Sequence, residues 1–376
     1  MEEYLPIPSS PTSQTLIPSS SSISPPSSST SHLIPNLPDD IALTIIARVP
    51  HTLTSNLSHV CKSWRSILRS TDYFSIRSQL NCTQTFLYIN LRIPASTFKW
   101  YSLDINCVNP KVLSPVPPIP VQGIGSAFAV LGCKIYVLGG SISDVPSRNV
   151  WVYDPRISVW EKGAKMRVAR EFAAAGVIDE KIYVLGGCTI DNWTRSTNWA
   201  EVFDPKIGSW APVPSPIEIR EKWMHGSAVI GKQMYAMADR GGVAFSPGDS
   251  SWGHVSTEID LGWRGRAAVV DEILYCYDYL GRIKGFDTKD FVWKELQGLG
   301  NELPRFLCGA TMVNAGGKLC VVWEGQGKGR QISVCYAEIE VSKDSVGGLW
   351  GTVDWSQMIQ EIPGASNIVH CLAVEF

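Results

Sequence analysis

The chain has 376 residues, of which 44% are hydrophobic, and its 33 basic and 35 acidic side chains give a formal net charge of −2. Because basic and acidic side chains nearly balance, the chain lacks the positive electrostatic field that binds a phosphate backbone. This argues against a nucleic-acid-binding protein. No apolar segment follows the acidic start of the chain and no run of about 18 apolar residues occurs, so we expect neither a secretory signal nor a membrane span.

Residues 1–31 consist mainly of Ser, Pro and Thr. A segment of this composition buries too little apolar surface to offset the entropy lost on ordering. We therefore predict a disordered Ser/Pro-rich tail.

Residues 32–80 predict a small helical domain. Ile41, Ile45 and Val49 recur every four residues after a Pro- and Asp-rich start, and Pro50 ends this predicted amphipathic helix. A second helix is predicted to carry on one face Leu57, Val60, Cys61, Trp64 and Leu68. A domain of about 45 residues has a marginal core, so its spare apolar surface is expected to bind a partner.

This helical segment resembles the F-box. The resemblance lies in Leu37-Pro38-Asp39-Asp40 and, at the family's distance from it, Val60-Cys61-Lys62-Ser63-Trp64. It implies docking on a Skp-type adaptor, which links the protein to cullin and the ubiquitin-conjugating machinery. The adaptor-binding positions that carry over are Leu37, Pro38, Ile41, Ile45, Val60 and Trp64. Ile45 and Trp64 could instead fill the domain's own core, because small docking modules share their core with their interface.

Residues 84–376 contain a repeat of short apolar strands. Intervals of 48, 47, 52, 40 and 45 residues separate the anchor residues Tyr88, Tyr136, Tyr183, Tyr235, Tyr275 and Cys320. A period in the forties that consists only of short strands predicts the blades of a β-propeller.

Aromatic pairs spaced seven residues apart follow four of these anchors: Tyr153/Trp160, Phe203/Trp210, Phe245/Trp252 and Phe286/Trp293. Together with the double glycines Gly139-Gly140 and Gly186-Gly187, these pairs resemble the kelch repeat. Six anchors imply an all-β, six-bladed kelch propeller. The C-terminal segment 368–374 is predicted to add the strand missing from the first blade, with Val374 in the place of Val130, and so to remove an open sheet edge.

Propellers carry function on the loops at their faces. Because strands within a blade alternate in direction, the loops that link blades share a face with the loops between second and third strands. Arg and Trp dominate binding hot spots, so we predict a target-binding face from Arg170, Trp193, Arg195, Trp223, Arg264 and Arg305. The alternative is that a basic residue before a first strand packs against or caps the blade.

Enzymatic motifs are missing from the sequence. The six histidines lack metal-ligand spacing, no C-x-x-C pair occurs among the ten cysteines, and no G-x-S-x-G, P-loop or dinucleotide fingerprint lies in a strand-to-helix context. We expect no catalytic activity and no metal or cofactor. Scattered free cysteines are typical of a reducing compartment, which predicts a cytoplasmic or nuclear protein.

The combined resemblance, to an architecture expanded in plants, implies a substrate adaptor of a Skp–cullin–F-box ubiquitin ligase. Its F-box would bind the Skp-type adaptor, and its propeller would bind an unidentified protein target. A non-catalytic scaffold or a cytoskeleton-binding protein is the alternative.

Overall fold

The structure is a computed structural model that describes residues 32–94, 97–107, 111–188, 198–220, 223–239, 241–263, 265–278, 280–307 and 309–376. The predicted tail, 1–31, lies outside the described residues. The chain divides into two compact units, Met1–Ile46 and Ala47–Phe376. The predicted domains 32–80 and 84–376 stay a prediction, because the division between the units falls inside the first helix.

The first helix, α1 (Asp39–Ala47), begins with two aspartates, which favour a helix N-terminus. The Asp39 carboxylate accepts the backbone N–H of Leu33 at 2.8 Å and so fixes the chain just before the helix. Ala42 and Ile46 are buried, whereas Ile41 and Ile45 are each 47% exposed. A helix forms where the sequence predicts one, but it ends at Ala47, before Val49, and the predicted apolar face is exposed. Its two exposed isoleucines lie one turn apart.

The second unit begins with short helices: the 3-10 turn His51–Leu53, α2 (Thr54–Ser58), α3 (Lys62–Ile67) and α4 (Thr71–Gln79). The single second helix that the sequence predicts is therefore wrong. Cys61 has extended backbone angles, and its thiol accepts the N–H of Trp64 at 3.4 Å, so it ends one helix and caps the next. The sequence pattern missed this break because a cysteine is an uncommon N-cap.

Strands make up most of the remaining chain. In chain order they are β1 (Thr85–Ile93), β2 (Thr97–Asp104), β3 (Ser114–Pro115), β4 (Ala127–Leu131), β5 (Lys134–Leu138), β6 (Ser141–Ile142), β7 (Val145–Pro146), β8 (Val150–Asp154), β9 (Val159–Lys162), β10 (Ala174–Ile178), β11 (Lys181–Leu185), β12 (Ala200–Asp204), β13 (Ser209–Val213), β14 (Met224–Ile230), β15 (Gln233–Ala238), β16 (Gly241–Ser246), β17 (Ser251–His254), β18 (Ala268–Val270), β19 (Ile273–Tyr277), β20 (Ile283–Asp287), β21 (Val292–Gln297), β22 (Thr311–Ala315), β23 (Lys318–Gln326), β24 (Gln331–Lys343), β25 (Leu349–Pro363) and β26 (Asn367–Glu375). In the described part of the chain, the 3-10 turn Ile217–Ile219 and the helix α5 (Thr257–Gly262) lie between these strands.

These strands form an all-β, propeller-like domain. Four antiparallel sheets have four strands each, in the orders β26-β1-β2-β3, β4-β5-β8-β9, β10-β11-β12-β13 and β14-β15-β16-β17. An eight-stranded sheet follows, in the order β18-β19-β20-β21-β25-β24-β23-β22, and β6 pairs with β7 as a small ribbon. The innermost strands contact one another in the sequence β4, β10, β14, β18, β22, β26 and back to β4. The ring of inner strands is therefore closed.

The C-terminal strand β26 pairs antiparallel with β1, as predicted, and completes the first sheet. The predicted register is wrong by one residue. Ala373 pairs with the residue before the Tyr88 anchor, as Val130 pairs with the residue before Tyr136, while Val374 pairs one position further along. The reason is that Val374 must face inward, where it is 1% exposed, whereas the position of Val130 is only half-buried.

The aromatic pairs that the sequence singled out lie directly opposite each other across neighbouring outer strands. In Phe245/Trp252 the rings stack with centroids 4.2 Å apart. All four tryptophans also donate their indole N–H to a backbone carbonyl 35 to 46 residues earlier, at 2.8 to 2.9 Å. Each tryptophan therefore packs across the outer strands of its own sheet, and its hydrogen bond links that sheet to an earlier segment of the chain.

The double glycine Gly139-Gly140 lies where the chain leaves β5. Gly139 has a φ of +62°, and a Cβ on it would lie 2.5 Å from the carbonyl oxygen of Arg170. Gly140 donates its N–H to that same carbonyl at 2.8 Å. Glycine is needed here because the backbone turns left-handed while the linking segment before β10 passes against it.

Aromatic and cationic side chains join the short helices to the propeller within the second unit. The imidazole of His51 packs edge-on against Phe376, with centroids 4.8 Å apart, and contacts Phe74 and Phe86. The buried guanidinium of Arg77 donates to the carbonyl oxygens of Ala47, Val49 and Cys82, which lie before and after the short helices in the chain. Side chains of α4, β1 and the C-terminus thus form one packed junction.

Acidification should destabilise the protein through His51. Burial, with a smaller contribution from the Arg77 charge, lowers the pKa of His51 to about 4. The unfolded chain, with a histidine pKa near 6.5, binds more protons between these values, so the free energy of unfolding falls as the pH drops through this window. At pH 5 the loss from His51 is about 2 kcal/mol.

His370, whose pKa burial lowers to about 3, should add a similar loss. Urea unfolding at pH 7 and pH 5 measures this loss. Between these two pH values, the free energy of unfolding of His51→Phe should fall by about half as much as that of the wild type. An equal loss in the two proteins would contradict this prediction.

Candidate functional site

The predicted adaptor-binding residues are mostly at the surface. In the first unit, Pro38, Ile41 and Ile45 are exposed and Leu37 is partly buried. Ile41 and Ile45 lie four residues apart on α1, so they share one helix face. Ile45 is thus more exposed than a core residue would be. In the second unit, Val60 is 61% exposed, whereas Trp64 is partly buried.

A cavity of about 650 Å³ lies inside the ring of innermost strands of the second unit. Residues at or beside the start of each of the six innermost strands line it: Ser126, Ala174, Met224, Ala268, Met312 and Asn367. The cavity is therefore on the side where the linking segments enter the inner strands. This is the side on which the sequence predicts the target-binding face.

The basic side chains of the described cavity lining are two arginines and two histidines, Arg92, Arg266, His225 and His370. No Asp or Glu lies among the described residues that line it. The His370 ring stacks on Phe128 with centroids 4.9 Å apart, and its lowered pKa keeps it neutral near pH 7. Burial lowers the pKa of Arg266 from its usual value, yet an arginine stays charged at any physiological pH.

The structure places only some of the predicted target-binding residues at the surface. Trp223 and Arg305 are exposed and lie in linking segments, Trp223 directly before β14 and Arg305 six residues before β22. Trp193, Arg195 and Arg264 lie outside the described residues. The structure therefore places two of the six predicted residues on the accessible surface at this end of the inner strands.

Arg170 is a structural residue. It is 1% exposed, and its guanidinium pairs with the fully buried carboxylate of Glu201 at 2.7 Å. Further guanidinium hydrogen bonds go to the carbonyl oxygens of Gly186, Asn198 and Trp199. A target cannot reach this side chain, so Arg170 is not part of the predicted target-binding face. The alternative applies instead, in which a basic residue before a first strand packs against the blade.

Phe172 is a surface residue of the cavity that the sequence did not single out. Its side chain is 45% exposed at the cavity lining, and its φ is +52°, a conformation that bulky residues rarely adopt. Its N–H donates to Gly125 at 2.7 Å, and its carbonyl accepts the N–H of Met224 at 2.8 Å. These two hydrogen bonds hold the strained backbone, and a single sequence carries no signal for them.

Comparison with known proteins identifies both parts of the chain. Residues 34–76 match the family described as "F-box domain", and residues 97–360, more than half of the chain, match "FKB95, Kelch-repeats domain". The chain belongs to the F-box/kelch-repeat family. The resemblance that the sequence motifs indicated is thereby confirmed.

Two Arabidopsis thaliana members show how far the F-box/kelch-repeat similarity extends. "F-box/kelch-repeat protein At4g39550" is 32% identical over 90% of this chain and 93% of its own length. "F-box/kelch-repeat protein At4g39590" is 34% identical over 89% of this chain and 88% of its own length. The solved structure titled "Structure of YjhT" aligns with a TM-score of 0.48 and 13% identity, over 68% of this chain and 91% of that one, too weak a similarity to support an argument.

F-box and kelch repeats together suggest a substrate-recognition adaptor, and the F-box indicates binding to a Skp-type adaptor and cullin. Members of this family are generally non-catalytic. Among the described residues, no group of three or more His, Cys, Asp or Glu side chains is placed to hold a metal ion. No helix in the described ranges is both long enough and apolar enough for a membrane crossing.

Proposed function

We propose that this F-box/kelch-repeat protein is the substrate-recognition subunit of a Skp–cullin–F-box ubiquitin ligase. Its F-box binds the Skp-type adaptor through Leu37, Pro38, Ile41, Ile45, Val60 and Trp64. Its propeller presents a protein target through the loops around the central cavity. The protein itself catalyses no reaction, and it acts in the cytoplasm, the nucleus or both.

The proposal includes six propeller blades. The eight-stranded sheet supports this count, because its two halves pair as one sheet through a short parallel pairing of β21 with β25, at Leu296–Leu349 and Gln297–Trp350. Each half has the strand number of one of the four separate sheets. Four separate sheets and two halves give six blades, in agreement with the ring of innermost strands.

The exposed isoleucines of α1 carry the functional proposal. Ile41 and Ile45 each leave about half of their surface in water, although Ala42 and Ile46 on the same helix are buried. Burying a large aliphatic side chain is worth about 1.5–3 kcal/mol, so two of them on one helix face favour a helix-binding partner. The F-box match names the class of that partner.

The double variant Ile41→Glu/Ile45→Glu tests this docking. Glutamate is a good helix former, so α1 should stay folded while two charges replace the apolar contact. We expect affinity for a Skp-type adaptor to fall by more than about 100-fold, as measured by isothermal titration calorimetry with the full chain. The matched control is Ile207→Glu, because Ile207 is a 74% exposed isoleucine in the second unit.

Binding of the adaptor by wild type and control, but not by the double variant, would support the ligase proposal. If the wild type does not bind any Skp-type adaptor, the protein is a scaffold instead. Equal affinity for wild type and double variant would show that α1 is not the docking element.

A further inference from the structure

The central cavity is lined by a partly buried cation, Arg266, which has no counter-charge among the described residues. Nη1 of Arg266 has the carbonyl oxygen of Ile368 at 3.4 Å as a hydrogen-bond acceptor, and Arg266 forms no ion pair with any described residue. The groups that act on its charge are Tyr277 and Cys371, and neither is a carboxylate. The guanidinium therefore faces a cavity whose described lining has no negative side chain.

The fold does not need this charge in the way that it needs the buried arginines Arg170 and Arg77. Arg170 is paired with Glu201, and Arg77 donates to three backbone carbonyls. A cation that is withdrawn from water without such partners costs free energy. A charge kept at this cost beside a cavity is typical of a binding site.

Phe172 provides a second, independent indication at the same cavity. Its left-handed backbone is a strained conformation, of the kind that clusters at ligand sites. Its ring lies at the cavity lining and is 45% exposed. An aromatic ring in the same cavity lining as a cation can contact the apolar part of a ligand whose acidic group contacts the arginine.

We propose that this cavity binds a carboxylate or phosphate group, with Arg266 as its principal cation. The cavity volume of about 650 Å³ is within the range of ligand sites and exceeds what a single acidic side chain fills. The inference rests on the proposed function in one respect: the group is expected to come from an acidic or phosphorylated side chain of the target. A free organic anion is the other source of the same chemistry.

Peptide pools test the proposal directly. One fluorescein-labelled pool has a central Glu between randomised neutral positions, a second has phosphoserine there, and matched pools have Gln or Ser. We expect the full chain to bind an acidic pool about tenfold more tightly than its matched neutral pool in fluorescence polarisation. Arg266→Gln should remove this difference, whereas Arg330→Gln, which removes an exposed charge outside the cavity lining, should keep it.

Small anions identify the source of the group. Succinate and inorganic phosphate are added at constant ionic strength while the melting temperature is followed. A preference for acidic pools assigns the site to a side chain of the target, whereas a rise in melting temperature with the small anions and equal binding of all pools assigns it to a free anion. Equal binding of all pools with no such rise would overturn the proposal.

Folding of the variant is controlled in two ways. Because Arg266 has no counter-charge, Arg266→Gln should melt no lower than the wild type, and a large drop would show a structural role and contradict the proposal. Arg92→Gln, a second substitution in the lining, should also weaken binding of the acidic pool. These assays contain no Skp-type adaptor, so their failure and the failure of adaptor binding are separate results.

Discussion

Replacing Arg170 by methionine should destabilise the protein by about 3–5 kcal/mol, because it leaves the carboxylate of Glu201 charged and buried without its partner. That loss is a large part of the 5–15 kcal/mol that usually stabilises a folded domain. The carbonyls of Gly186, Asn198 and Trp199 lose their donor as well. Urea unfolding followed by tryptophan fluorescence measures the effect.

A second change separates charge from packing at this site. Glu201→Gln keeps an oxygen that can accept the N–H of Arg167, now at 2.7 Å, but leaves the Arg170 cation unpaired. We expect it to be destabilising too. Arg282→Met is the matched control, because the Arg282 side chain is 45% exposed in its ion pairs, and an ion pair of an exposed side chain is worth less than about 1 kcal/mol. A stability of Arg170→Met within about 1 kcal/mol of the control would contradict this account.

Deleting residues 365–376 should abolish soluble folded protein. The deletion removes β26, and with it the buried side chains Ile368, Leu372, Val374 and Phe376. Each buried aliphatic or aromatic side chain contributes about 1.5–3 kcal/mol, so the summed loss approaches the whole stability of a typical domain. The deletion also exposes the edge of β1, a long apolar strand that can then pair with other chains.

The soluble fraction and the elution volume in size-exclusion chromatography measure this outcome. Glu375→Ala is the control, because Glu375 is an exposed residue of the same strand and its substitution keeps the pairing with β1. We expect the control to elute as the wild type does. A soluble, monomeric deletion protein at wild-type yield would show that the ring does not depend on its C-terminal strand.

The two parts of the proposed adaptor make different demands on their residues. Ile41 and Ile45 serve binding because they are left exposed, while Arg170 serves the fold because it is fully enclosed. Arg266 belongs to neither group, since it is neither at an open surface nor neutralised by a described partner. That contrast is why we assign Arg266, and not Arg170, to recognition.

Local chemistry and spacing were sufficient to predict the helical segment before the repeat, the repeat itself and its closing strand. Aromatic pairs seven residues apart can be recognised in a linear sequence because a hairpin places them opposite each other, as Phe245 and Trp252 are. A glycine pair is equally visible, because the left-handed turn at Gly139 excludes other residues. These features depend on neighbours along the chain.

The fate of individual side chains depended on contacts between distant segments. Arg170 and Arg266 both precede a first strand, yet only the fold brings Glu201 to the former and an uncharged cavity to the latter. The one-residue shift of Val374 has the same origin, since its burial on one face of the sheet decides it. The break at Cys61 is local, and the sequence missed it because cysteine is an uncommon N-cap. The sequence by itself determined the family and the repeat, whereas the tertiary structure decided which charges are neutralised, because neutralisation requires a partner that no local pattern specifies.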